Sequence, residues 1–395
     1  MEQLNVFQHA RELLANVTLA EYLASQPPRT VISITASDPL SQVLRRFASA
    51  SLVAAPCFAD EAQTRFLGFL DLMDVVAAVV DAARHQGPGT PTAGSDIGGG
   101  SICLSRHSLA VRCRSGVARE LAEQPVSAIR ATANDAQLVY QAQLSNTLLQ
   151  VVRQGFTHPV DKLACHRLAV FMPAGGASGG GDWDDNIVGG GGGDPTGMTT
   201  AGIPSLQVTH IVSQSDMLQF LYKHQAQLGN TLLGSTLRQL GVQEKQVLCV
   251  PAELAVIDAL AGMVDARVPA VAVIDSEESG RLLGNLSISD LRGKPSHFEQ
   301  LAKPVGDFLR EGGWHGGSRW RAASPRGGVA AKFGVRSPDC LPHEPPLAVC
   351  HLDSTLGEVL GLLAGRRLHR LFIVDGERRP LGVVSIADIL TLLAG

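Results

Sequence analysis

The alternation of apolar and polar residues near the C-terminus defines a short structural unit. Residues 368–393 read LHRLFIVDGERRPLGVVSIADILTLL. The apolar run 371–374 predicts a buried strand, an Asp-Gly turn follows it, and the run 381–384 predicts a second strand. From Ser385 onward, apolar residues recur at helical spacing to the end of the segment, which predicts an amphipathic helix.

The order strand, helix, strand, strand, helix recurs upstream of this unit. The strands predicted for the first, third and fourth copies are 30–36, 52–60 and 65–71; 247–250, 270–275 and 282–287; and 347–353, 369–375 and 381–385. In the third copy, helices are predicted at 254–266 and from Ile288, and in the fourth copy at 354–364. A repeated unit is therefore the first feature to explain, because it determines the whole fold.

Two further parts of the chain belong to this pattern. Residues 1–25 predict an amphipathic helical segment that ends before two prolines. The second copy is divided, with a helix predicted at 142–152 and a strand at 166–172. A Gly-rich run, 173–204, separates this strand from the continuation of the copy at 205–221.

Glycine is concentrated in a few segments of the chain. Most of the excess among the 42 glycines lies in 87–101, 173–204 and 311–346, which have almost no apolar periodicity and are predicted to lack fixed structure. The resulting division is 1–86, repeat 1 with the N-terminal helix; 87–125, a Gly-rich linker; 126–222, repeat 2 with the insertion 173–204; 240–310, repeat 3; 311–346, a flexible linker; and 347–395, repeat 4.

Composition narrows the possible classes of protein. With 33 basic and 37 acidic residues the net charge is −4, which gives no basic footprint for nucleic acid. Seven scattered cysteines and the lack of a predicted signal peptide favour a reduced, cytoplasmic compartment, with the nucleus as a second possibility. The most apolar run, 66–83, contains three aspartates and cannot span a membrane, so we expect a soluble chain with no membrane partner.

The junctions between the last strand and the last helix of each copy share polar residues. They read GFLDLMD, HIVSQSD, GNLSISD and GVVSIAD. Their final aspartates are Asp74, Asp216, Asp290 and Asp388, and three of them follow Ser213, Ser287 and Ser385 by three residues. Such a pair can cap a helix, with the acid near the positive end of the helix dipole. An ionised aspartate can also accept both hydroxyls of a ribose diol.

Two copies add a pair of basic residues at the start of a strand. His166 and Arg167 occupy the same place in the second copy as His369 and Arg370 in the fourth. Charged residues in strands require a partner, and the guanidinium fork suits a phosphate beside a helix N-terminus. Alternatively, each arginine pairs with an acid of a neighbouring domain. The combination with the junction aspartates favours a nucleotide-binding cleft.

The copies resemble a known family. Several stretches carry the resemblance: AAPCFAD at 54–60, FLGFLDLMD at 66–74, SISDLRG at 287–293, and HRLFIVD and GVVSIADIL near the C-terminus. The repeat resembles the cystathionine-β-synthase (CBS) domain. Four such repeats resemble the γ regulatory subunit of AMP-activated protein kinase, and in particular the plant-type γ-like group.

The resemblance implies an α/β (α+β) fold of four βαββα CBS repeats, paired as two Bateman modules, about 1–222 and 240–395, that pack into a flattened disc. Within each module the two sheets would pack face to face. AMP, ADP or ATP would bind in the clefts as regulatory ligands rather than cofactors. The four junction aspartates would hold ribose, the two His-Arg pairs would face phosphates, and the junction serines would assist from the helix start.

Two repeats depart from the pattern of the family. The first and third copies have Ala54-Ala55 and Pro269-Ala270 where the His-Arg pairs stand, and Arg267 lies nearby but out of register. In the first copy Asp71 replaces the usual hydroxyl and would repel phosphate. We therefore do not expect all four clefts to be equivalent.

The expected function is that of a regulatory, non-catalytic subunit that binds adenine nucleotides and modulates a kinase complex through its catalytic and scaffold subunits. The alternatives are a CBS scaffold without ligand, and a CBS regulator of an unrelated enzyme or channel. No catalytic constellation can be identified in the sequence. A zinc site at Cys103, His107 and Cys113 is disfavoured because the spacing is unusual and no fourth ligand lies close.

Overall fold

A computed structural model gives the fold of the protein. It describes residues 6–63, 65–85, 95–96, 102–103, 123–130, 143–157, 165–173, 206–292, 300–311 and 347–395. The predictions for 173–204 and 311–346 lie almost entirely outside these residues. The prediction for 87–101 is wrong at one place, because Ser95–Asp96 forms a short strand.

The described residues contain strands and helices in the following order. The strands are β1 Ile34–Thr35, β2 Ala54–Phe58, β3 Phe66–Asp71, β4 Ser95–Asp96, β5 Ile102–Cys103, β6 Arg167–Pro173, β7 Leu206–Ser213, β8 Leu248–Pro251, β9 Ala270–Ile274, β10 Leu282–Ser287, β11 Val349–Cys350, β12 Arg370–Val374 and β13 Pro380–Ser385. The helices are α1 Gln8–Ala15, α2 Leu19–Ala24, α3 Leu40–Ser49, α4 Leu72–His85, α5 Val126–Arg130, α6 Leu148–Gln150, α7 Gln214–Lys223, α8 Asn230–Gly234, α9 Val256–Asp265, α10 Val305–Arg310, α11 Leu356–Gly365 and α12 Ile386–Ala394.

The predicted order of elements is found in the repeats. In repeats 1, 3 and 4 the first strand pairs parallel with the second, and the second pairs antiparallel with the third. Repeat 2 contributes the antiparallel hairpin β6–β7. The strands β4 and β5 extend the sheet of repeat 3, because β5 pairs parallel with the edge strand β8. The α/β class predicted from the sequence is confirmed.

A left-handed turn after the first helix marks the same position in three repeats. Ser51, Arg267 and Arg367 have φ angles of 55°, 53° and 53°, and each lies two residues beyond the end of its helix. A residue in this conformation reverses the chain tightly after a helix. None of the three is glycine, so the turn is set by the packing of the repeat and not by glycine flexibility.

The sheets of consecutive repeats pack face to face. Phe58 and Phe69 of repeat 1 share a buried cluster with Ala169 and Val208 of repeat 2. The sheets of repeats 3 and 4 pack in the same way, and their cluster includes Val247, Cys249, Ala272, Ile274, Leu282, Phe372 and Val374. The face-to-face contact expected within each module is therefore present. Repeats 1 and 2 are called module 1 below, and repeats 3 and 4 are called module 2.

Helices join the two modules. Val76 of α4 and Leu260 of α9 belong to one core that unites repeats 1 and 3. Leu218 of α7, Leu360 of α11 and Ile389 of α12 belong to another core that unites repeats 2 and 4. Because sheets join the repeats within modules and helices join them between modules, the four repeats form a closed ring of contacts.

Repeats 1 and 2 exchange helices that precede their βαββα units. Leu14, Leu19 and Tyr22 of α1 and α2 lie in the core of repeats 2 and 4, and Thr18 forms a bridge to Thr147 before α6. Conversely, α5 packs into the core of repeats 1 and 3, where its Val126 and Ile129 are buried. The assignment of the N-terminal helix to repeat 1, and of α5 to repeat 2, is therefore corrected.

Three helix predictions also require correction. In the described part of segment 1–25 the helical stretch is divided into two helices, because Thr18 closes a capping box with Glu21 and starts α2 anew. The first helix of repeat 2 begins at Leu148 rather than at 142, and continues as a π-helical turn, Val151–Phe156. Finally, the helix predicted from Ile288 is one 3₁₀ turn, Ile288–Leu291.

A buried arginine explains the short last helix of repeat 3. Arg292 ends the 3₁₀ turn in an extended conformation, and its side chain is only 6% exposed. Its guanidinium donates from Nε to the carbonyl oxygen of Ser289 at 3.2 Å and from Nη1 to that of Ser51 at 2.6 Å. The side chain thereby connects repeat 3 to repeat 1 and turns the chain away from the helix direction.

Candidate functional site

Each β-hairpin meets the following helix at a junction that has the same geometry in all four repeats. An amide at the start of the helix donates to a carbonyl at the start of the hairpin. The pairs are Leu72–Val53 at 2.9 Å, Gln214–His166 at 3.2 Å, Ile288–Pro269 at 3.1 Å and Ile386–His369 at 3.0 Å. In repeats 2 and 4 the predicted His-Arg pairs therefore lie beside the predicted junction aspartates.

The junction aspartates of repeats 2, 3 and 4 form capping boxes. The Oδ2 atom of each aspartate accepts the backbone N–H of the serine three residues earlier, at 2.8 Å for Ser213, 2.8 Å for Ser287 and 2.9 Å for Ser385. The serine hydroxyls donate to the same oxygen at 2.6, 3.0 and 2.6 Å. The capping role considered from the sequence is thus present, and these bonds engage Oδ2.

Repeat 1 builds the same junction from two carboxylates. The backbone N–H of Asp71 donates to Oδ2 of Asp74 at 2.8 Å. In place of a serine hydroxyl, Oδ1 of Asp71 accepts the backbone N–H groups of Met73 at 2.7 Å and Asp74 at 3.1 Å. The first turn of α4 therefore carries one more negative charge than the equivalent turns.

In two junction aspartates the second oxygen, Oδ1, accepts a hydrogen bond from a cationic side chain of the other repeat in the module. Nη1 of Arg29 donates to Oδ1 of Asp216 at 3.0 Å, and Nζ of Lys245 donates to Oδ1 of Asp388 at 2.8 Å. Both cations are mostly exposed, with 62% and 58% of their side-chain surface accessible. The sequence analysis missed them, although both stand just before the first strand of an odd-numbered repeat.

Two opposing effects act on the carboxyl of Asp388. Burial raises its pKa, but the hydrogen bonds from Lys245 and Ser385, together with the charge of Lys245, outweigh burial and lower the pKa below its ordinary value. Asp388 is therefore ionised at neutral pH, and its carboxylate can accept a cation or a hydroxyl donor at Oδ1.

The His-Arg pair of repeat 2 lies beside the start of α7 and is accessible to solvent. His166 is exposed and Arg167 is partly exposed, yet burial among surrounding protein is the main cause that lowers the pKa of both. The charges of Asp71 and Asp216 oppose this lowering at Arg167. The charge of Arg370 also contributes to lowering the pKa of His166. Charged groups of repeats 1, 2 and 4 therefore act on this pair.

The equivalent pair of repeat 4 has a different acidic neighbour. Burial lowers the pKa of Arg370 to about 10, and the charge of Asp388 opposes this effect. Arg370 pairs across the hairpin with Ser385, which is the residue that caps α12. His369 is exposed beside it. A guanidinium, a helix start and an ionised aspartate thus lie together at one junction.

This arrangement has the chemistry of a nucleotide site. A guanidinium beside a helix N-terminus suits a phosphate, because both provide donors and positive potential. A carboxylate whose outer oxygen is held only by an exposed cation can exchange that cation for a sugar hydroxyl. The junction aspartate of repeat 3, Asp290, has the capping geometry, whereas position 270 opposite Ser287 is alanine.

No group of three or more potential metal ligands occurs in the described ranges, and His107 and Cys113 lie outside them. In the part of the chain that the structure describes, no helix combines the length and apolar character needed to cross a bilayer.

Comparison with known proteins finds similarity in repeats 3 and 4 and to kinase subunits. The model of the CBS domain matches residues 241–296 and 341–395. Over 191 residues the chain is 32% identical to the 5'-AMP-activated protein kinase subunit gamma-3 of Bos taurus. The aligned region covers 47% of this chain and 32% of that protein. The chain is 24% identical over 210 residues to the SNF1-related protein kinase regulatory subunit gamma-like PV42b of Arabidopsis thaliana, covering 48% and 52%.

The chain spans about a third of the length of the first relative and about half of the second. Its fold is similar to that of protein MJ1225 from Methanocaldococcus jannaschii, a proposed archaeal homolog of g-AMPK. The TM-score is 0.53 at 11% identity, over 93% of this chain and 98% of that one. The Arabidopsis thaliana relative is a regulatory subunit, in agreement with the expectation that this chain is not an enzyme.

Proposed function

We propose a regulatory function for this chain, which contains CBS domains and is homologous to γ subunits of AMP-activated protein kinase and to plant γ-like proteins. In this proposal it binds AMP, ADP or ATP in the clefts between repeats and modulates a partner protein kinase complex. The observation that supports it best is the junction of repeat 4, where the guanidinium of Arg370 lies beside the helix start that Ser385 and the ionised Asp388 cap.

The proposed ligand would replace contacts that the residues of the site already make with each other. The ribose hydroxyls would donate to Oδ1 of Asp388 and replace Lys245, which is exposed and free to move after the exchange. The phosphate would be held by Arg370, with His369 beside it. The partly buried guanidinium would gain more from an anion than an exposed one, because fewer water molecules screen it.

The ring of contacts provides a route from ligand to partner. A ligand can act at a distance only if it favours one arrangement of the repeats over another, and the coupling must be reciprocal. Lys245 belongs to repeat 3 and Asp388 to repeat 4, so an exchange at this pair changes a contact between the repeats. A kinase complex that binds the ring would then be sensitive to the ligand.

Titration calorimetry of the full chain with AMP, ADP and ATP tests the binding proposal. We expect saturable binding that weakens when Arg370 is replaced. Affinity purification followed by mass spectrometry tests the partner, and we expect kinase catalytic and scaffold subunits. The absence of binding heat for all three nucleotides from a folded chain would exclude the nucleotide proposal. Copurification of an unrelated enzyme or channel would exclude the kinase proposal.

A ligand-free scaffold is the second candidate. It is favoured by the observation that the three capping boxes and the two ion pairs already engage the junction carboxylates. If this reading is correct, the kinase subunits copurify but no nucleotide binds. The two measurements therefore separate the two functions. In either case we propose that the chain acts in the cytoplasm or nucleus.

A further inference from the structure

Asp71 stands where the other three repeats have a serine. The last cross-strand pairs of the four hairpins are Ala54–Asp71, Arg167–Ser213, Ala270–Ser287 and Arg370–Ser385. The carboxylate of Asp71 is fixed by its bonds from two amides of the first turn of α4. Its negative charge is therefore held at the junction and does not turn away into solvent.

The charge of Asp71 acts on the basic pair of the neighbouring repeat. Phe69 and Ala169 pack in the cluster between the two sheets, and Asp71 and Arg167 each lie two residues away on the same face of their strands. The charge of Asp71 favours the protonated form of Arg167, and it acts on His166 in the same direction. Arg370 has no equivalent neighbour from repeat 3, because the matching position is Ser287. Arg167 is thus influenced by an acid of the opposite repeat, Asp71, in addition to the junction aspartate of its own repeat, whereas the acid that acts on Arg370 is the junction aspartate of its own repeat, Asp388.

An anion entering module 1 near Arg167 would also approach Asp71. The repulsion from this carboxylate would oppose the attraction of the guanidinium. An uncharged nucleoside avoids this repulsion and can still use the junction carboxylates for its ribose. The geometry of the two modules therefore predicts different ligands for them.

We propose that Asp71 is a specificity-determining residue that makes the cleft of module 1 select an uncharged adenine nucleoside over the corresponding nucleotide. Phosphate-bearing ligands bind in module 2. The inference rests on the proposed function, since it assumes that the clefts bind adenine ligands. It adds the ligand class of one module and names the residue responsible.

Replacing Asp71 by serine in the full chain tests the inference. Asp71→Ser creates in repeat 1 the serine–aspartate pair that Ser385 and Asp388 form in repeat 4, because Asp74 already lies three residues further along the chain. The variant therefore keeps a cap on α4. By calorimetry we expect AMP to bind module 1 about tenfold more tightly, while adenosine affinity changes less than about twofold. Adding Arg167→Ala should abolish the gain, whereas adding Arg370→Ala should not.

Two further variants complete the experiment. Glu61→Gln removes an equal charge at the exposed tip of the same hairpin and should leave both affinities unchanged. Ser287→Asp places the acid in module 2 and should weaken AMP binding there by a similar factor. If Asp71→Ser leaves the ratio of AMP to adenosine affinity unchanged, or Glu61→Gln raises it equally, the inference is wrong while the proposed function stands. If no variant binds either ligand, both are wrong.

Discussion

Nζ of Lys245 donates to Oδ1 of Asp388 at 2.8 Å, across the boundary between repeats 3 and 4. Arg29 and Asp216 make the corresponding contact at 3.0 Å in module 1. In both modules the cation precedes the first strand of the odd repeat, and the acid caps the last helix of the even repeat. The pair therefore belongs to the module architecture, and it places an exchangeable cation on the proposed ribose carboxylate.

The first prediction concerns the stability of this pair. Lys245→Met should lower the free energy of unfolding by less than about 1 kcal/mol, because the exposed ammonium keeps most of its hydration. Urea denaturation at neutral pH measures the change. Lys223→Met removes an exposed lysine at the end of α7 and provides the control. A loss above about 3 kcal/mol would contradict the exchangeable character of the pair, since it is typical of a broken buried pair.

The second prediction follows from the lowered pKa of Asp388. A carboxyl with a lower pKa in the folded state stabilises the fold above its unfolded pKa, and this contribution is lost as the pH falls through the folded value. The difference in unfolding free energy between the parent chain and Asp388→Asn should be constant above about pH 5 and shrink below about pH 4. Urea unfolding across this range tests it. A difference that grows in acid would show that the sign is wrong.

Local pattern was sufficient to predict the hairpins. The strand predicted at 282–287 has the observed bounds, and the strand predicted at 369–375 differs at its ends only. Apolar alternation and turn residues determine such elements within a few positions. The serine and aspartate of each capping box are also three residues apart, so their junction could be read from the sequence.

Contacts between distant segments could not be predicted from the sequence. Arg29 and Asp216 are 187 positions apart, and no local signal selects this partner. The amphipathic pattern of α1 and α2 shows which face is buried but does not show that repeat 2 buries it. The sequence also could not decide whether a junction aspartate caps the helix or is available to a ribose. The two oxygens of Asp388 have different contacts, since Oδ2 accepts the bonds of the cap and Oδ1 accepts a hydrogen bond from Lys245.

The third prediction tests the exchanged N-terminal helix. Leu14 of α1 is fully buried in the core of repeats 2 and 4. Leu14→Ala should lower the free energy of unfolding by about 2–5 kcal/mol, because it leaves a cavity in a packed core. Hydrogen exchange should show lost protection in α6 and α12 before α4. Loss confined to α3 and α4 would instead support packing on repeat 1.

The fourth prediction concerns the cap of α12. Ser385→Ala removes the hydroxyl that accepts the backbone N–H of Asp388 and should lower the free energy of unfolding by about 1 kcal/mol. Thr391→Ala, on an exposed turn of the same helix, removes a hydroxyl without a capping role and should change it by less than about 0.5 kcal/mol. Thermal or urea unfolding compares the two. Equal losses would show that the capping box contributes nothing specific.

The fifth prediction separates phosphate recognition from ribose recognition in repeat 4. Arg370→Ala should weaken AMP binding on the order of tenfold or more, because it removes charge-assisted bonds of about 1.5–3 kcal/mol each. Asp388→Ala should also weaken binding, and in addition should reduce the discrimination between AMP and its 2′-deoxy form. Calorimetry of the full chain with both nucleotides measures these affinities.

The control for Arg370 lies at the other end of the same hairpin. Arg379 is exposed in the turn before β13, where its Nε donates to the carbonyl oxygen of Ser279. Arg379→Ala removes an equal charge far from the junction, so AMP affinity should stay within about twofold of the parent if local contacts and not net charge hold the phosphate. If Asp388 is only a cap, its alanine variant loses about 1 kcal/mol of stability and binds both nucleotides as the parent does. That result would remove the ribose role and leave Arg370 as the only recognised contact in this cleft.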